Sequence, residues 1–295
     1  MGPTTAGKSD LAVELALALD GEVVNADSMQ IYRGMDIGTA KLTTEQRRGV
    51  PHHLLDILDI REPDTVAEFQ GWARKAIADC RALGVTPILV GGSALYLRAV
   101  LDEFDFPGTD PAVRDRLETE LAETGAEALH ERLREADPAA AAAILPTNGR
   151  RVVRALEVIE ITGSPYGACL PGFAHALDQV VQIGLDVPRE ALDVRIEQRV
   201  DLMWRAGFVD EVRRLERAGL RQGRTASRAL GYAQVLGFLA GECSEDEARA
   251  ATVRATRRFA RRQDSWFRRD PRIGWLAHDA SDLLACALNA VRSVE

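Results

Sequence analysis

The sequence predicts an α/β fold in which a parallel-sheet core is interrupted by an all-helical subdomain, and three observations point there. Strand-like apolar runs alternate with amphipathic helical stretches, the pattern left by parallel strands joined through helical crossovers. A continuous apolar run at 87–90 is bounded by Gly84 and by Gly91-Gly92, as a strand buried on both faces would be. Between about residues 107 and 171 strands give way to helical, acidic sequence, so core segments 1–106 and 172–295 are expected to flank a helical insertion at 107–171.

Taken in order, residues 2–8 read as a loop that runs into a helix with Leu11, Leu15 and Leu19 on one face. A short strand at 22–26 stops at Asp27, and a helix at 66–83 precedes the 87–90 strand. Inside the insertion, Asp137-Pro138 opens the alanine run 139–143 as a cap and a first-turn proline would. A strand-like run at 180–187 returns to the core, and the remainder reads as mostly helical.

With 295 residues and 46% hydrophobic content, the chain can bury a large core without disulfides. Cys80, Cys169, Cys243 and Cys286 are far apart, form no CxxC pair and have no nearby histidine at zinc-site spacing, which fits a reduced compartment. His52 and His53 read as structural. No window approaches the roughly 18 apolar residues needed to cross a bilayer, so a soluble, cytoplasmic protein is expected. The net charge of -8 argues against a polyanionic partner, yet seven arginines and one acid, Asp264, lie between Arg254 and Arg269. Arg254, Arg257, Arg258, Arg261 and Arg262 recur at helical spacing, a stripe suited to phosphates, though such a face is about as often merely solvated.

Gly2-Pro3-Thr4-Thr5-Ala6-Gly7-Lys8-Ser9 fits GxxxxGK[ST] at every fixed position and opens a helix, whose N-terminal amides can cradle a diphosphate. Lys8 supplies positive charge and Ser9 a hydroxyl for magnesium. The core is therefore expected to be of the P-loop NTPase-like kind. Such a loop ordinarily hangs from a buried strand, and only Met1 precedes Gly2; the expectation is that the natural start lies upstream, within that strand.

Asp27 lies just past a strand's C-terminal end, on the edge where parallel sheets bind ligands, and should face the phosphate loop. It could equally be the magnesium-holding acid of a nucleotide hydrolase or a turn-former. Against the hydrolase, the 87–90 strand ends in Gly91-Gly92 rather than in an acid.

The ordered motifs go further than the loop. Besides residues 2–9 they include Asp27-Ser28-Met29-Gln30, Asp36-Ile37-Gly38-Thr39-Ala40-Lys41, Pro51-His52-His53-Leu54 and Gly91-Gly92-Ser93. Arg150-Arg151-Val152-Val153-Arg154, Arg228-Ala229-Leu230-Gly231-Tyr232 and Arg261-Arg262-Gln263-Asp264-Ser265-Trp266-Phe267-Arg268 follow. Over nearly its whole length the chain resembles the bacterial tRNA dimethylallyltransferases, also called isopentenyl-diphosphate:tRNA transferases.

The resemblance implies that the loop holds the diphosphate of dimethylallyl diphosphate, with Mg2+ at Ser9, and that the dimethylallyl group goes to N6 of adenosine 37 of tRNA. It implies Asp27 as general base, with Thr4, Lys8 and Arg199 stabilising the leaving diphosphate. It carries tRNA contacts over to Asp27, Ser28, Met29, Gln30, Ser93, Arg114, Arg150, Arg151, Val152, Val153 and Arg154. Further contacts are implied at Arg228, Gly231, Tyr232, Arg261, Arg262, Gln263, Trp266 and Arg268, and the protein is expected to be a monomer. Of Trp266 and Phe267, one is expected in the core. The inserted subdomain is expected to grip the anticodon stem. Thr5-Ala6, Ser93-Ala94 and Thr147-Asn148-Gly149 depart from the commoner family residues, the last at the entry to the arginine helix. The rivals are a small-molecule kinase using the loop for ATP and an RNA-binding protein whose loop has decayed; intact Lys8 and Ser9 oppose decay.

Overall fold

The structure, a computed structural model, describes residues 1–104, 106–166 and 172–293. Cys169 and the expected boundary at Pro171 lie outside the described residues. The chain forms two compact units, residues 1–102 with 175–295, and residues 103–174.

The first segment of the core unit holds α1 (Lys8–Leu19), β1 (Gly21–Asn25), β2 (His52–His53), α2 (Val66–Ala82), β3 (Thr86–Val90) and α3 (Ala94–Leu101). The second unit is wholly helical among its described residues: α4 (Pro111–Thr124), α5 (Ala126–Ala136), α6 (Pro138–Ala143) and α7 (Gly149–Thr162). The chain then returns to the core unit with β4 (Gln182–Asp186), α8 (Arg189–Arg205), α9 (Phe208–Arg217), α10 (Tyr232–Leu239), α11 (Glu245–Phe267), β5 (Ile273–Ala277) and α12 (Leu283–Arg292).

Among the described residues the five strands pair in parallel, in two separate sheets ordered β2-β1-β3 and β4-β5. Strands β2 and β5 were not anticipated from the sequence. The first is two residues long, and the second carries Gly274 and is largely unburied, so neither shows the apolar run that marks a central strand. Between β3 and β4 lies an apolar cavity of about 200 Å³, lined among others by Leu11, Leu15, Ile88, Val181 and Ile183. Met1 closes one end of it: its amino group donates to Ile183 O (2.5 Å), and its own carbonyl accepts from Leu185 N (3.0 Å).

The main core of this unit gathers Tyr32, Phe69, Phe208 and Tyr232, each fully buried, beneath the C-terminal ends of β1 and β3. Phe208 meets Tyr232 edge-on at 5.0 Å between centroids, and Gly38 passes so close that a Cβ there would lie 2.2 Å from Phe208 Cε2. In the helical unit, Leu117, Leu129, Leu133, Ile144, Val152 and Leu156 form a separate core. Helices α4, α6 and α7 start where side chains satisfy their first amides: Asp110 accepts from Ala112 and Val113, Asp137 from Ala140, and Asn148 from Arg151. Among the described residues no helix is long and apolar enough to cross a membrane.

Candidate active site

The loop at residues 2–9 leads into α1 with Gly7 in a left-handed conformation at the N-cap, so the first-turn amides meet no capping side chain. Lys8 curls back to donate to Pro3 O (2.6 Å). Thr5 holds φ at 65°, and its buried Oγ1 has no hydrogen-bond partner. Gln263, brought in by α11, pins the loop from above. Its Oε1 accepts from Thr4 N (2.9 Å) and its Nε2 donates to Gly92 O (2.8 Å). The two glycines just past β3 leave room for this contact and for the end of β1. A Cβ on Gly92 would stand 2.3 Å from Gln263 Nε2, and one on Gly91 2.2 Å from Ala26 O.

Asp27 is placed by its neighbour Asn25, the last residue of β1. The buried Asn25 side chain accepts from Asp27 N (3.0 Å) and donates to Asp27 O and Leu54 O, each at 3.1 Å. One carboxylate oxygen of Asp27 accepts from Met29 N (2.9 Å), an Asx turn that orients the side chain. Ser28 Oγ lies 3.4 Å from Ser93 Oγ, so the ends of β1 and β3 meet. Gln30 donates to Thr39 O (3.1 Å).

Lys8, Ser9, Asp27, Arg199 and Gln263 line one cleft of about 730 Å³, together with Thr4 and Thr5. Its electrostatics are those of crowded, desolvated cations. Burial, then the nearby Arg199, lowers the Lys8 ammonium to about 8, with Asp27 opposing. Burial likewise lowers Arg199, against the pull of Asp27 and Asp10. A site with two destabilised cations is prepared for an anion that relieves both. The Ser9 hydroxyl is a hard oxygen donor on the same cleft, of the kind that suits Mg2+ beside a diphosphate.

Sequence reading missed a second support. Glu211 of α9, 1% exposed, accepts from three successive amides, Asp36 N (3.2 Å), Ile37 N (2.8 Å) and Gly38 N (3.1 Å), and from Tyr232 Oη (2.6 Å). It thereby holds the turn at residues 36–41 against the cleft. Lys41, also buried, fastens the same turn through Tyr32 O (3.0 Å), Asp36 (2.7 Å) and Asp56 (2.6 Å). Only an acid in the first turn of an amphipathic helix hinted at this, and such acids normally face solvent at a helix N-terminus.

The residues assigned to tRNA by resemblance fall into different environments. Arg228, Arg261 and Arg262 are exposed, as are Arg254 and Arg258. Arg257 is instead paired with Glu197 (3.0 Å) and Asp193 (3.7 Å). Arg268 lies 3.9 Å over the Trp275 ring and pairs with Asp186 and Asp264. Phe267 is in the core and Trp266 is exposed. Gly231 caps α10 at φ 87°. Tyr232 and Gln263 are buried and spoken for, so their side chains position the site and are not offered to RNA.

Within the helical unit, Arg150 and Arg151 are exposed, while Val152 and Val153 are buried in its core, which removes their side chains from any RNA-facing role. Arg114 and Arg154 both pair with the fully buried Glu157. Burial alone would raise the Glu157 carboxyl, but the two guanidiniums hold it below its usual value.

Comparisons with known proteins place relatives along nearly the whole chain. A family model described as IPP transferase matches residues 30–270. A tRNA dimethylallyltransferase of Thermobifida fusca is 66% identical over 289 residues, covering 96% of this chain and 90% of the relative. The crystal structure of a Bacillus halodurans tRNA isopentenylpyrophosphate transferase superposes with a TM-score of 0.72 at 40% identity, covering 99% of this chain and 95% of that one. A eukaryotic dimethylallyltransferase captured acting on tRNA gives a TM-score of 0.83 at 27% identity, over 98% of this chain and 76% of the other.

Proposed function

The chain belongs to the IPP transferase family, and from that premise we propose that its cleft seats dimethylallyl diphosphate on residues 2–9, with Asp27 as the base that deprotonates the acceptor nitrogen. The protein is a transferase of the tRNA-dimethylallylating kind. The ATP-dependent kinase and the decayed RNA-binding protein lose to that assignment.

One observation carries the residue roles: Lys8 and Asp27, from consecutive elements, and Arg199, from α8 far along the chain, line a single cleft. The N6 amine of the adenosine beside the anticodon attacks the allylic carbon, forming the C–N bond as the C–O bond to diphosphate breaks. The N6 proton passes to Asp27 and the electron pair of the broken bond leaves with diphosphate. Lys8, Arg199 and the loop amides face the growing negative charge, where preorganised donors act most strongly. Thr4, fixed through its amide by Gln263, contributes to the diphosphate seat. Mg2+, held by Ser9 and the diphosphate oxygens, would add further charge neutralisation. The target base has to leave the anticodon-loop stack to reach Asp27, and the exposed arginines Arg228, Arg258, Arg261 and Arg262 are the proposed phosphate contacts.

Asp27→Asn tests the base. Single-turnover transfer should fall by about a hundred- to ten-thousandfold while dimethylallyl diphosphate and tRNA still bind, the usual scale of positioned proton transfer. If diphosphate affinity drops instead and excess Mg2+ restores turnover, Asp27 is a metal ligand. Near-normal transfer removes both roles.

A further inference from the structure

On the far side of β1 from the cleft's chemistry, three side chains that no sequence motif connects converge on one point. Glu22 on β1, His53 on β2 and Cys80 on α2 place one ligand atom each within 4.8 Å of one another. His53 Nε2 is 2.5 Å from Glu22 Oε2, and Cys80 Sγ is 3.6 Å from that oxygen and 3.7 Å from His53 Nε2. His52 takes no part, its Nδ1 lying 2.9 Å from Val50 O.

We propose that Glu22, His53 and Cys80 form a zinc-binding site, with three protein ligands and a water completing a tetrahedron. The case is geometric. With Zn–S of about 2.3 Å and Zn–N and Zn–O of about 2.0 to 2.1 Å, a tetrahedral ion sets its S···N and S···O edges at roughly 3.5 to 3.6 Å and its N···O edge at roughly 3.3 Å. Both sulfur edges already stand within about 0.2 Å of those values. Only the 2.5 Å Glu22–His53 hydrogen bond must open, by about 0.8 Å, which a glutamate side chain accommodates by rotation.

The donor set is the borderline kind, one thiolate, one imidazole and one carboxylate, that favours zinc over magnesium. Access also suits it. Cys80 is buried, while the Glu22 and His53 side chains are 24% and 34% exposed, leaving one open direction for ion and water. An ion here would fasten the edge strand β2 and the helix α2 to β1, whose end carries Asn25 and Asp27. It would brace the base of the catalytic turn without touching substrate.

The test uses the full chain stripped with a chelator, then titrated with Zn2+ in excess Mg2+, followed by Co2+ as a spectroscopic stand-in. The expected result is one zinc per chain, a higher melting temperature with zinc, and a thiolate-to-cobalt charge-transfer band. Cys80→Ser, nearly isosteric, should abolish the band and the thermal shift while keeping the transfer rate, and Glu22→Gln and His53→Ala should each weaken binding by about tenfold or more, as the loss of one ligand bond does. Absence of zinc binding by the wild-type chain overturns the proposal, since that measurement needs no variant to fold. So does a cobalt spectrum that lacks the thiolate band or keeps it in Cys80→Ser, which would place the ion on Cys243, Cys286 or surface carboxylates.

Discussion

Glu211 does at residue scale what a whole loop of sequence could not do alone: its two oxygens collect three amides and a phenol. Glu211→Ala would leave those donors buried without an acceptor, at about 1 to 3 kcal/mol each before relaxation. The urea midpoint should therefore fall by the equivalent of roughly 3 kcal/mol or more, with Glu211→Gln intermediate because it keeps one acceptor. An unchanged midpoint would show that water satisfies the turn equally well. Lys8 gives a pH prediction. In the free protein its ammonium is lowered to about 8 by burial and Arg199. A bound diphosphate raises it again, so binding takes up a proton once the pH exceeds that value. Diphosphate affinity should be flat below about 8 and fall by up to about tenfold per pH unit above it. Competition binding across neutral to alkaline pH checks this, with Lys8→Met expected to bind weakly and without the break.

Among elements, α11 combines two tasks on opposite faces. Gln263, Ala260 and Phe267 point inward to the loop and the core, while Arg254, Arg258, Arg261 and Arg262 point to solvent. Replacing Arg258, Arg261 and Arg262 by alanine should weaken tRNA binding uniformly and reduce the log-log salt slope by roughly one per arginine, leaving diphosphate affinity intact. A slope identical to wild type would mean the stripe is only solvated. Arg268 is left out of that set because its Trp275 stack and carboxylate partners make it structural. Helices α4 and α7 are joined through Glu157, which sits at 0% exposure between Arg114 and Arg154. Arg114→Ala strips one counter-charge from a buried acid and should destabilise the helical unit by about 3 kcal/mol. Hydrogen exchange should quicken in α4 to α7 and not in β1 or β3, because each unit has its own core. Equal acceleration in both units would refute that independence.

At the scale of the whole molecule, the core unit holds two separate parallel sheets, with β3 and β4 facing each other across an apolar gap of about 200 Å³. Met1 pairs with β4 at one end of that gap, through Ile183 O and Leu185 N, and the walls are alkyl side chains from α1, β3 and β4.

The sequence by itself determined the parallel α/β core, the loop at residues 2–9 that opens α1, Asp27 at a strand end and the family, because each is written in contiguous residues whose spacing has one geometric meaning. Periodicity located α1, α2 and β3 nearly to the residue, and Asp137-Pro138 opened α6 as its chemistry requires. What only the tertiary structure decided are the contacts between residues far apart in the chain. Gln263, read as an RNA contact, pins the loop to Gly92 across 171 positions; Val152 and Val153, inside a motif of arginines, face inward because a helix turns them there; Tyr232 answers Glu211. Glu22, His53 and Cys80 met only because adjacent strands bring residue 24 beside residue 53 and α2 crosses behind them. Local sequence specifies turns, caps and periods, whereas burial and partnership depend on which surfaces the fold brings together, and that information is spread over the whole chain.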